Sequence, residues 1–172
     1  MSEPSGFSTI LPAIIFVRST NSPGSEWQEL DRGPGVFRFS HGQEVMLRIQ
    51  HIGDRELLQL VEEIRACPAV KFLHLAENRK ITDAGLARLS LLPQLTGLNL
   101  SSCDITYHGL AHLKDLPRLE YLNLSYCNRL GDSAIPTLKS LSGLTFLDLQ
   151  GTIKITNKGL SQLKRRGLTI HK

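Results

Sequence analysis

A leucine motif recurs through most of this chain and limits what it can fold into. Val70-Lys71-Phe72-Leu73-His74-Leu75 aligns with Leu95-Thr96-Gly97-Leu98-Asn99-Leu100, then with Leu119-Glu120-Tyr121-Leu122-Asn123-Leu124 and Leu144-Thr145-Phe146-Leu147-Asp148-Leu149. The middle leucines, Leu73, Leu98, Leu122 and Leu147, are 25, 24 and 25 residues apart. Apolar and polar residues alternate within each copy, which is the period of a strand with one buried and one wet face. A ladder position follows, held by Asn78, Cys103, Cys127 and Thr152, and then an apolar residue, Ile81, Ile105, Leu130 or Ile155. Turn-forming pairs come next: Thr82-Asp83, Thr106-Tyr107, Gly131-Asp132 and Thr156-Asn157. Apolar residues then recur at helical spacing, as in Leu86 and Leu89 or Leu110 and Leu113, which predicts short helices at about 54–66, 83–91, 107–115, 132–140 and 157–165. Asp54, Asp83 and Asp132 stand where helices begin and are expected to act as N-caps; Asn157 fits the same role and Tyr107 departs from it.

Weaker copies flank the clear ones. Met46-Leu47-Arg48-Ile49 reads as an earlier strand, followed by Ile52-Gly53-Asp54, and Leu168-Thr169-Ile170 starts a last one. The whole pattern resembles the leucine-rich repeat family, L-x-x-L-x-L-x-x-N/C-x-L every 20–29 residues. Cysteine in the ladder followed by Ile-Thr looks like the cysteine-containing subclass of F-box receptors, although no adaptor-binding helical segment accompanies it here and no ubiquitin-ligase role is carried over. The resemblance covers residues 44–172, about five repeats with the last truncated. It implies an α/β fold: a right-handed solenoid, with a parallel sheet on the concave face and short helices on the convex face. Strand–helix alternation independently requires parallel strands and right-handed crossovers, and strands apolar on one side only leave a bare sheet surface on the inner curve.

Residues 1–43 lack the repeat. Apolar stretches at Ile14–Val17 and Val36–Phe39, separated by Asn21-Ser22-Pro23-Gly24 and Gly33-Pro34-Gly35, predict a β-rich N-terminal cap over the first repeat. Trp27, Phe37 and Phe39 are expected to share its packing, the alternative being a ligand pocket under Trp27. With 41% hydrophobic and 21% charged residues the chain is ordinary for a soluble globular protein. Cys67, Cys103 and Cys127 form an odd set with no pairing motif, which fits a reducing compartment and a cytoplasmic location. The apolar run Ile10 to Val17 is too short to span a membrane and has no basic start before it.

Outward strand positions form columns across the repeats. The first is Met46, Phe72, Gly97, Tyr121 and Phe146; the second is Arg48, His74, Asn99, Asn123 and Asp148; the third is Gln50, Ala76, Ser101, Ser125 and Gln150. Phe72, Tyr121 and Phe146 read either as an anchor strip for a partner or as rings packed on neighbouring strands. The second column reads as hydrogen-bonding contacts to a partner or as solvated surface. His74 and Asp148 lie three strands apart, too far for a catalytic pair at about 4.8 Å per strand. Lys154, Lys158, Lys164, Arg165 and Arg166 make a basic C-terminal patch that either touches phosphate groups or forms a solvated face suited to a helix end and a strand edge. Phosphate-loop, dinucleotide, zinc-protease and serine-hydrolase motifs are missing from the sequence, and two ladder cysteines lack the further ligands zinc needs. The expectation is a non-enzymatic protein-interaction module without cofactor or metal, binding another protein on the concave face. The alternative is electrostatic binding of nucleic acid or an acidic partner, and self-association through the last strand stays open.

Overall fold

The computed structural model describes residues 5–21 and 25–172; the Ser22-Pro23-Gly24 part of the expected turn lies outside them. Six strands follow the repeat: β5 (Gln43–Arg48), β6 (Val70–His74), β7 (Gly97–Asn99), β8 (Tyr121–Asn123), β9 (Phe146–Asp148) and β10 (Thr169–His171). They pair in parallel, each with the next, and Leu47, Leu73, Leu98, Leu122 and Leu147 stand side by side in register. Each of these leucines is fully buried, as are Leu75, Leu100, Leu124 and Leu149 two residues on. At about 2 kcal/mol per buried leucine this stack dominates the energetics. The return path of each turn runs through α1 (Asp54–Ile64), α2 (Asp83–Leu86), α3 (Tyr107–Leu110), α4 (Ile135–Ser140) and α5 (Asn157–Leu163), with short 3₁₀ turns extending α2 and α3 and preceding α4. Each falls where the spacing of apolar residues predicts it.

The N-terminal segment is β-rich and extends the same sheet. β2 (Ile14–Ser19) pairs antiparallel with β5, and β3 (Gln28–Arg32) pairs antiparallel with β2, so the eight-stranded order is β10-β9-β8-β7-β6-β5-β2-β3. β1 (Ser5–Thr9) and β4 (Gly35–Phe39) form a separate antiparallel ribbon, with β1 packed against α1. Phe7 of that ribbon meets Phe37 and Phe39 at centroid distances of 5.5 and 5.8 Å. We propose residues 1–43 as the cap of the solenoid. A boundary between 43 and 44 falls inside β5, which both parts share.

Three residues beyond the end of each of β5 to β9 stands a residue in the left-handed region: His51, Glu77, Ser102, Tyr126 and Gly151. The ladder residue that follows donates to buried carbonyls. The Asn78 amide donates to the carbonyls of Ile49 (2.8 Å) and Leu75 (2.9 Å), and its oxygen accepts the Ile52 N–H. The Cys103 thiol donates to the Leu75 carbonyl at 3.3 Å and the Cys127 thiol to the Leu100 carbonyl at 3.1 Å, each one repeat back. Burial pushes both thiols up to about 12, so the proton that makes the bond is retained at neutral pH.

The N-cap expectation for Asp54, Asp83 and Asp132 is corrected. The side chains that cap helices are Thr82, Thr106 and Thr156. The aspartates sit one residue further on and clamp the next repeat: Asp54 accepts the Thr82 N–H (2.8 Å) and hydroxyl (2.6 Å). Asp83 does the same to Thr106, and Asp132 to Thr156. Asn157 is likewise not the cap of α5; Thr156 is. Glycine leaves room for each carboxylate, since a Cβ at Gly85, Gly109 or Gly159 would lie 2.3–2.4 Å from an aspartate oxygen. Tyr107 breaks the series. The repeat after it has Gly131 in place of threonine and Ala134 in place of glycine, so all three parts of the clamp are missing at one joint.

Rebuilding that clamp should be cooperative. Chemical denaturation of Tyr107→Asp, Gly131→Thr, Ala134→Gly and their combination is expected to show a triple variant more stable than the summed single changes by about 1–2 kcal/mol, the coupling of two charge-assisted hydrogen bonds.

Candidate functional site

The solvent side of the parallel strands carries a continuous row of rings. Met46, Phe72, Gly97, Tyr121 and Phe146 are direct neighbours from β5 to β9, because a strict period of two turns them outward wherever the leucines turn in. The three rings are half-buried, and they bury each other. Phe72 leans across the empty place at Gly97, where a Cβ would lie 2.1 Å from the ring. Its centroid is thereby 5.2 Å from that of Tyr121, and Tyr121 stacks on Phe146 at 4.9 Å with planes 6° apart. Both readings of the column hold at once: the rings stand on the open face and pack on one another.

Sequence reasoning missed the N-terminal end of this row. Phe16 on β2 lies beside Met46. Trp27 does not pack with Phe37 and Phe39; its ring is 6.2 Å from Phe72, on the open face, with the Arg18 guanidinium 4.4 Å above it. Arg18 is held there by Glu44 at 2.7 Å. The signal for Phe16 was the outward position in an apolar strand. Nothing in the spacing indicated that the Trp27 ring reaches Phe72.

The second column is hydrogen-bonded within itself. Asn99, Asn123 and Asp148 each accept the backbone N–H two residues on, from Ser101, Ser125 and Gln150. With its oxygen so engaged, the Asn99 amide nitrogen faces His74 Nε2 at 3.2 Å. Nε2 is then the acceptor, the ring proton sits on Nδ1, and Nδ1 is buried with no well-formed hydrogen bond among the described residues. Burial holds the His74 pKa below its ordinary value, and the nearby Arg48 charge adds to this. At the far end Asp148 receives Asn123 at 3.4 Å and lies 3.4 Å from His171. His74 and Asp148 sit on β6 and β9 and are not brought together. Arg48 is exposed beside His74.

Of the basic C-terminal residues, Arg165 is drawn into the fold. The Arg165 guanidinium donates to the carbonyls of Leu141 (2.6 Å) and Leu144 (3.1 Å), filling a structural role in the preceding repeat. Lys154, Lys158, Lys164 and Arg166 are exposed. Lys154 bridges Gly131 through its backbone, and Lys158 belongs to α5 on the convex side. Among the described residues no group of three or more His, Cys, Asp or Glu side chains is placed to hold a metal, and no helix is long and apolar enough to cross a membrane.

A family model described as Leucine Rich repeat matches residues 66–90, 93–114 and 117–135. These residues are leucine-rich repeats. Its fold is similar to a chain in the crystal structure of the yeast Rad7 and Elc1 complex, at 23% identity and a TM-score of 0.62 over 73% of this chain. It is also similar to an internalin from Listeria monocytogenes, at 24% identity and 0.52 over 73%, and to actin-binding site 2 of leiomodin-1, at 20% and 0.50 over 67%. These matches cover 32% and 33% of the first two chains and 79% of the third, so this chain spans about a third of the length of the first two. No curated protein sequence matches.

Two measurements probe the geometry of the face. Gly97→Ala should destabilise the fold by about 1–3 kcal/mol by overpacking against Phe72, and the loss should largely vanish in a Phe72→Ala background; an undiminished loss in the double variant would show that the ring is not what fills the space. A histidine held below its ordinary pKa binds fewer protons folded than unfolded, so stability falls as pH drops through and below about 6.5. His74→Gln should remove this component, leaving denaturation midpoints that fall less between pH 8 and 5.5 than those of the wild type, and parallel curves would contradict it.

Proposed function

We propose that the chain is a non-catalytic binding module that holds another protein along its concave sheet face. The row Phe72–Tyr121–Phe146 supports this reading most. Its rings are partly exposed, aligned across β6 to β9 and in contact with one another, and clustered aromatic groups are what protein interfaces concentrate. The stack also argues about the class of partner. Nucleobases bind by lying on open ring faces, whereas Tyr121 and Phe146 spend one face each on the other. The alternative, electrostatic binding through the basic C-terminal segment, has lost Arg165 to buried carbonyls.

A photo-crosslinking side chain at Gln150, two outward positions beyond Phe146, should capture a partner in extracts of the source cell. The same group at Lys114 on the convex side should not. Phe72→Ala, Tyr121→Ala and Phe146→Ala together should abolish capture while the chain still unfolds cooperatively. Capture from Lys114 alone, or capture undiminished in the folded triple variant, would move the binding surface elsewhere.

A further inference from the structure

Building on the concave-face reading, we infer that the partner presents an acidic side chain next to its apolar anchor and that Arg48 receives it. On the second outward column and beside it the other polar side chains are already engaged. Arg18 is paired with Glu44; Asn99, Asn123 and Asp148 are tied to the backbone behind them; and His74 accepts from Asn99. Arg48 differs. It is exposed, and among the described residues it makes no hydrogen bond or ion pair.

Its surroundings make that vacancy consequential. Arg48 stands between Ile14 on β2 and His74 on β6, one outward position along β5 from Met46 of the ring row. His74, kept neutral by burial and by Arg48 itself, does not compete for an anion. Glu77, which also acts on the His74 ring from the following turn, forms no ion pair among the described residues. A partner seated on the rings covers this ground and removes water from the guanidinium. An uncompensated buried cation is costly, and a carboxylate in bidentate contact removes the cost. A lysine at the same place adds repulsion to desolvation, so Arg48 selects partners as well as holding them. From β5 to β9 is four strand spacings, about 19 Å, which an extended segment of about six residues crosses. The acidic residue belongs at the β5 end of that segment and the apolar residues lie toward β9.

The test is selection of random 12-residue peptides displayed on phage against the immobilised full chain. The wild type should enrich peptides with Asp or Glu within about three residues of an aromatic or aliphatic residue, and Arg48→Glu should enrich Lys or Arg there instead. In fluorescence anisotropy a selected acidic peptide should bind at least tenfold more weakly to Arg48→Glu and to Arg48→Gln, both checked for unchanged thermal unfolding. An empty selection, no acidic enrichment, or no reversal with Arg48→Glu overturns the inference. The ring variant separates the two levels: selected peptides that lose affinity for the triple alanine variant and keep it for Arg48→Glu leave the concave face as the site and remove Arg48's role. Peptides that bind the triple alanine variant unchanged overturn the concave-face reading itself.

Discussion

Every turn of this molecule depends on its leucines burying against those of the next. No single repeat has enough apolar surface to fold alone. Stacked, Leu73, Leu98, Leu122 and Leu147 exclude water completely, and the outward positions are then fixed by the period of two. Leucines that face in at one residue force Phe72, Tyr121 and Phe146 to face out at the residue before. The concave surface is therefore a by-product of the core in its position, and particular to this chain only in its side chains.

The turns show how that stack is kept regular. A helix-and-strand coil 24 or 25 residues long leaves carbonyls at the bend with no partner in the sheet, and buried carbonyls need donors. Asn78 supplies several bonds at once, while Cys103 and Cys127 supply one each through weaker S–H groups. The cysteines occupy the place of an amide, and their raised pKa follows from the burial that makes them useful there.

Much of this was legible in the sequence because it repeats. Strand direction, helix positions and the columns follow from spacing alone, since an error in one copy is checked by the next. What was misread involves contacts between copies or outside them. The aspartates look like caps from local sequence; that Asp54 bonds to Thr82, Asp83 to Thr106 and Asp132 to Thr156 is visible only once adjacent turns are laid together. Trp27 belongs to a segment without periodicity, so nothing in its neighbours says which side of the sheet it covers. Arg165 is one of several adjacent cations, and only the geometry of the preceding repeat singles it out for the carbonyls of Leu141 and Leu144.

The gap left by Tyr107 divides an otherwise uniform coil. On its N-terminal side, successive turns are bolted together at their backs by carboxylate–hydroxyl contacts, and the last turns are bolted in the same way by Asp132. Across the gap the backs touch without such bolts, while on the front the Phe72 ring, leaning over Gly97 to meet Tyr121, spans the same seam. With the Arg129–Asp104 ion pair (3.1 Å) in place of a clamp there, this is the joint at which a change of curvature is expected. A molecule lying across both halves of the front would brace that seam, so occupancy and stiffness of the coil are two aspects of one equilibrium.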